Sequence, residues 1–243
     1  MSQPAVERCP RCNASCAPNH KFCAQCGAFL AEESPDQRVL LAMAYERDGR
    51  NDAARQELQG ILKADPGHVL ANHLLGSLYF HEGVLEVATR HYQQAVAAAP
   101  HFILAHYDLG VAWYHLGNMP EAIRAFRRCL EIDEHYNAAH YRLGLALFHA
   151  GELQQAMKQF EESIILTPEY LMAHYHMGVI HERRGEIDAA ERAFEYSEDH
   201  VVGEVSSLFH LAVLRRAQGD AVAAMEYLRR AREFGQSELP AAR

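Results

Sequence analysis

The sequence predicts a mainly α-helical protein in which six helical hairpins stack into a solenoid behind a small metal-bound head. Three observations predict it. Six glycines, Gly49, Gly83, Gly117, Gly151, Gly185 and Gly219, stand 34 residues apart. Six alanines, Ala54, Ala88, Ala122, Ala156, Ala190 and Ala224, keep the same interval in register with them. Two small-residue columns at one period, across about 200 residues, mean that one structural unit has been copied six times. The third observation is a pair of CxxC turns inside residues 9–26, ahead of the first copy.

The head, residues 1–30, contains CPRCNASCAPNHKFCAQCG. Cys9 and Cys12 form one CxxC, and Cys23 and Cys26 form the other. Each turn aims two sulfurs at one point, and two turns supply the tetrahedral thiolate shell of structural zinc. Gly27 follows the second pair, where a left-handed residue lets the turn close. Phe22 is the large apolar residue between the pairs that covers the metal. Cys16 and His20 are further donors, but neither belongs to a tight pair. A redox dithiol needs a CxxC at the start of a helix in a larger βαβ unit, and no such context surrounds these turns. The same ligands suit an iron centre of the rubredoxin type. Zinc is the expectation, because so short a head has no core of its own and folds around its metal. A closed four-sulfur shell leaves no position for water, so its role is structural. The segment resembles the short zinc-ribbon family, which reads C-P-x-C-G, a loop, then F-C-x-x-C-G; Asn13 stands here where that family has glycine.

A linker, residues 31–34, leads to Ser34-Pro35-Asp36-Gln37, a helix start with a capping residue, a first-turn proline and a capping-box partner. The units then run 35–68, 69–102, 103–136, 137–170, 171–204 and 205–238, leaving a tail, 239–243. In the third unit Leu109, Ala112, Trp113 and Leu116 fall at helical spacing, Gly117-Asn118 breaks the helix, and Ala122, Ile123, Phe126 and Leu130 restart it. Gly76, Gly110, Gly144 and Gly178 sit in mid-helix, where glycine costs about 1 kcal/mol against alanine. Their recurrence implies that a partner helix crosses there and leaves no room for a side chain. Leu58, Tyr92, Phe126, Phe160, Phe194 and Leu228 form the column of large knobs on the second helices. Ala42 and Ala212 replace the mid-helix glycine in the end copies, and Val201-Val202 stands where other units have Asp-Pro or its like, so an irregular fifth junction is expected.

These columns resemble the tetratricopeptide repeat (TPR) family over residues 35–238. The resemblance implies a right-handed superhelix whose first helices line a concave groove. Stepping by 34 residues then gives groove columns containing His73, Tyr107, Tyr141 and Tyr175, and containing Phe80, Tyr114 and Phe148. Such a groove is apolar and aromatic, suited to an amphipathic helix or an extended apolar peptide. The alternative is that these rings pack between neighbouring repeats. Family members that clamp acidic chaperone tails place Lys and Asn in these columns; both are missing from them here.

Histidine is abundant, at 16 residues, and includes the columns His81, His115, His149 and His106, His140, His174. Column members stand about 10 Å apart, too far for one ion whose ligands lie at about 2 Å. Packing or polar-edge roles are expected instead. No phosphate loop, GxSxG or HExxH occurs, and no residue is assigned to catalysis. The net charge of −9 argues against nucleic acid as the main partner. No run approaches the roughly 18–20 apolar residues of a membrane span, and no signal core opens the chain. The expectation is a cytoplasmic, non-enzymatic adaptor that binds a protein or peptide, with structural zinc and no small-molecule substrate. Two other readings stand beside it: a scaffold that self-associates through uncapped ends, and a nucleic-acid-linked regulator using the basic head.

Overall fold

Each unit folds as a helix, a tight turn and a second helix. In the computed structural model, which describes residues 35–200 and 205–237, this gives twelve α-helices. The first of each pair are α1 (Pro35–Arg47), α3 (Val69–His81), α5 (Ile103–His115), α7 (Asn137–His149), α9 (Leu171–Arg183) and α11 (Val205–Ala217). The second are α2 (Asn51–Ala64), α4 (Leu85–Ala98), α6 (Met119–Ile132), α8 (Leu153–Leu166), α10 (Ile187–His200) and α12 (Ala221–Ser237). The four cysteines assigned to zinc, Cys9, Cys12, Cys23 and Cys26, lie outside the described residues, as do the linker, the tail and the junction at 201–204.

The turns show why their glycines recur. Gly117 has φ +75°, a conformation strained for any side chain. It allows the Asn118 N–H to reach back to the Trp113 carbonyl at 2.9 Å, while Gly117 N–H donates to Tyr114 at 3.0 Å. These bonds satisfy carbonyls that the end of α5 leaves orphaned. The Asn118 side chain then accepts from the Glu121 N–H and caps α6. The same positive φ appears at all six turn glycines.

The mid-helix glycines answer to the knobs. A Cβ on Gly110 would lie 2.6 Å from the Phe126 ring, and one on Gly144 would lie 2.6 Å from Phe160. Gly76 meets Tyr92 and Gly178 meets Phe194 in the same way. The crossing is therefore filled by the ring itself, and the Ala54-to-Ala190 column, fully buried, is a separate close contact. Tyr92, Phe126, Phe160 and Phe194 are buried completely or nearly so. Each contributes on the order of 1.5–3 kcal/mol through burial.

Among the described residues the main packing is between neighbours: each hairpin packs on itself and on the next. The odd-numbered helices α1, α3, α5 and α7 also approach one another directly, and no even-numbered pair does so to that extent among the described residues. The stack thus curves with its odd-numbered helices inside. Among the described residues no helix is long and apolar enough to cross a membrane.

Candidate protein-binding groove

The inner helices present one stripe each to the concave side. On α5 helical spacing aligns Leu104, Tyr107, Val111 and Tyr114. The seven residues expected to line the groove all sit on inner helices, but at different depths. His73 is half-buried, its Nε2 2.7 Å from the Asp108 carboxylate and its ring edge-on to Phe102. Phe80 meets His115 at 5.6 Å between centroids, and Tyr114 meets His149 at the same distance. Tyr107 packs edge-on to Tyr136 and against Phe126. Tyr175 lies beside Phe194, with its hydroxyl 3.4 Å from His210 Nε2. Tyr141 and Phe148 are different: only 8% and 9% exposed. Tyr141 stands edge-on to Tyr170 at 4.9 Å and touches Phe160, and Phe148 lies under the Arg183 guanidinium at 4.4 Å. Phe148 binds its unit to the next through Arg183, while Tyr141 packs within its own unit and against His176 of the next.

The exposed apolar surface lies one helical turn earlier. Leu70, Leu104 and Met172 occupy equivalent positions of α3, α5 and α9, and Leu104 and Met172 are 50% and 40% exposed. The equivalent position of α7 is the small Ala138, and the column stands three residues before the ring column.

A second row follows the groove's edge. Arg47, His81, His115, His149 and Arg183 share one position in successive units and are all exposed. From the third unit onward, each reaches back to the ring of the previous unit: His115 to Phe80, His149 to Tyr114 and Arg183 to Phe148. The Arg183 guanidinium over the Phe148 face adds roughly 0.5–1 kcal/mol at such an exposed site. The column His106, His140 and His174 does something else. Each Nε2 donates to the carbonyl of the residue six before it, Pro100, Glu134 or Pro168, at 2.8–3.1 Å. Asn72 makes the equivalent bond to Pro66. These histidines pin the start of an inner helix to the loop before it. No group of three or more His, Cys, Asp or Glu among the described residues could hold a metal.

Burial sets the titration here. His176 stacks on Phe160 at 5.5 Å, and its pKa is pushed down to about 4, first by burial and then by the nearby His149. The buried Cys129 thiol donates to the Ile103 carbonyl at 3.6 Å, and burial pushes its pKa up to about 12. A thiol so protonated is an inert filler. A hollow of about 850 Å³ lies on the outer side, between α6 and α8. Its rim mixes Arg127 and Lys158 with Glu131 and Glu162, and it brings together none of the groove residues.

No curated protein matches the chain significantly. Among solved structures it is similar to MamA at 27% identity, with a TM-score of 0.64 over 66% of this chain and 94% of that one. It is similar to PilF of Pseudomonas aeruginosa at 20% identity and a TM-score of 0.68, over 84% and 97% of the two chains. YrrB, described as a TPR protein with an unusual peptide-binding site, gives 17% identity and a TM-score of 0.62 over 74% and 93%. Tetratricopeptide repeat profiles match residues 39–101, 103–136, 138–170 and 175–238. With most of its length matched in this way, and with twelve helices in six hairpins, the chain belongs to the tetratricopeptide repeat family.

Proposed function

We propose that the chain is a non-enzymatic adaptor that holds a segment of a partner protein, an extended peptide or an amphipathic helix, on its concave face. One observation carries this reading: large apolar side chains stay exposed at the same place on three of the four central inner helices, at Leu70, Leu104 and Met172, with the small Ala138 at that place on α7. A folded chain of this size has no packing reason to leave such a row open, and aligned exposed apolar residues mark interaction surfaces. Membership of a repeat family whose members bind proteins and peptides supports it, as does the peptide site named for YrrB. The experiment is selection of binders from a phage-displayed library of random 12-residue peptides. Binders should lose affinity at least tenfold for the Leu104→Asn, Met172→Gln double variant, whose exposed positions leave the fold intact by thermal melting. Binders indifferent to that variant would remove the groove from the account.

The head completes the proposal as a structural zinc ribbon held by Cys9, Cys12, Cys23 and Cys26 in a cytoplasmic protein. Its support is the spacing of those thiols. Elemental analysis of aerobically purified protein should give one zinc per chain, and none after Cys9→Ser with Cys23→Ser; iron, or no metal, in the wild type would overturn it.

A second reading, self-association through the last repeat, is favoured by a separate observation. Met225 on α12 is 67% exposed, whereas Ile123 and Met157, at the equivalent place in earlier units, are each 7% exposed. Phe209 and Val213 on α11 are exposed as well. Light scattering across a hundredfold concentration range tests it: a mass that rises and is held down by Met225→Gln with Val213→Gln supports assembly, and a constant monomer mass removes it.

A further inference from the structure

We propose that the chain covers the open end of its own stack: Phe29 and Leu30, in the stretch Ala28-Phe29-Leu30-Ala31, lie against an apolar face of α1. Every later first helix has a hairpin packed before it. Among the described residues α1 has none; it packs on α2 and touches α3. Three positions register the difference. Leu40 is 66% exposed, whereas Leu74, Asp108, Arg142, His176 and His210, at the same place in later units, are all half-buried. Leu41 is half-buried where Leu75, Leu109, Leu143 and Leu211 are buried. Ala44 is half-buried where Leu78, Ala112, Ala146, Ile180 and Leu214 are buried. The preceding unit, not the following one, does this covering. Among the described residues no unit follows α11 and α12, yet Leu211 and Leu214 stay buried. At spacings of three and four residues, Leu40, Leu41 and Ala44 share one face of α1. Met43, 48% exposed, stands beside Leu40 on the same helix.

Chemistry and reach choose the occupant. An exposed cluster of this kind marks a surface that something apolar covers. Phe29 and Leu30 are the last large apolar residues before α1, and they lie beyond Gly27, outside the two CxxC turns. From Leu30 to Pro35 the chain spans at most about 18 Å, and Leu40 stands about 8 Å along α1 from Pro35. A fold-back over Leu40 and Leu41 is therefore within reach. So short a tether holds the segment at an effective concentration on the order of millimolar. The rival occupant is the last repeat of a second copy, whose Met225 is 67% exposed, and it has no such tether. With α1 covered, copies do not add head to tail; the open end at α11 and α12 is left to pair with its own equivalent in a closed dimer. The cover is independent of the peptide groove and of the metal in the head.

The test uses the full chain with the photoreactive substitution Leu40→p-benzoylphenylalanine, mixed with 15N-labelled chains so that adducts within and between copies differ in mass. Irradiation and peptide mass spectrometry should place the main adduct within one chain, on residues 28–31, and Leu104→p-benzoylphenylalanine should give no adduct there. Proximity alone brings the two segments together at times, so hydrogen exchange supplies the second readout. In Phe29→Ala with Leu30→Ala, the α1 amides should lose protection at least tenfold while those of α5 to α8 keep theirs. Leu40→Ala should cause a similar loss, and combining it with the pair should add little more. An adduct between copies on α12, no adduct on residues 28–31, or α1 protection unmoved by Phe29→Ala with Leu30→Ala would each overturn the cover.

Discussion

The central and terminal repeats solve the same crossing in two ways. In the four central units an aromatic ring from the outer helix sits over a bare glycine, as Phe126 does over Gly110. In the first and last units the register pairs Ala42 with Leu58 and Ala212 with Leu228, a smaller knob with a larger floor. Volume is shared differently between the partners, and the crossing stays filled. The comparison has a second side. Leu58 is 1% exposed but Leu228 is 39% exposed. An identical side chain becomes core only where a following repeat covers it.

The largest expected effect separates the two solutions directly. Phe160→Ala should cost about 3–5 kcal/mol by urea denaturation, because it empties a fully buried site. Leu228→Ala, at a half-open site, should cost less than half as much; equal losses would break the distinction. Next comes a pH dependence rooted in the centre. His176 has a folded pKa of about 4 against 6.5 for the free side chain. Between those values the unfolded chain takes up a proton that the folded chain refuses. Stability is therefore complete above about pH 6.5 and declines toward pH 4, by up to about 3 kcal/mol from this group. Denaturation midpoints at pH 7.5 and pH 4.5 should converge in His176→Gln.

A smaller effect tests the pairing itself. Gly144→Ala adds helix propensity, yet its Cβ meets Phe160 at 2.6 Å, so the net result should be destabilising by roughly 1–3 kcal/mol. Adding Phe160→Leu recreates the terminal pair and should recover part of the loss; an additive double variant would show that the ring and the glycine are not coupled. The smallest effect belongs to the turns. Nothing lies within 4 Å of a Cβ on Gly117, so Gly117→Ala meets only backbone strain at φ +75°, on the order of 1 kcal/mol in thermal melts.

The fold was legible because a 34-residue period aligns equivalent positions without any knowledge of their surroundings. The same property hid the depth of the groove. Periodicity places Tyr107 and Tyr141 in one column, but Tyr141 is sunk against Tyr170 and Phe160 while Tyr107 stays partly open. Depth depends on which neighbours are large, and that is a property of three dimensions. The His106, His140 and His174 column was readable as unable to converge on one ion. Its use, a bond to the carbonyl six residues back, needed backbone geometry.

Among the described residues each hairpin packs mainly on the next, and no substantial contact closes the two ends of the stack on each other. Length is then a free variable: a copied or deleted unit would insert or remove one step of groove without disturbing the rest. The span of partner segment that the face accommodates is set by the number of units, a quantity that gene duplication alters in a single event.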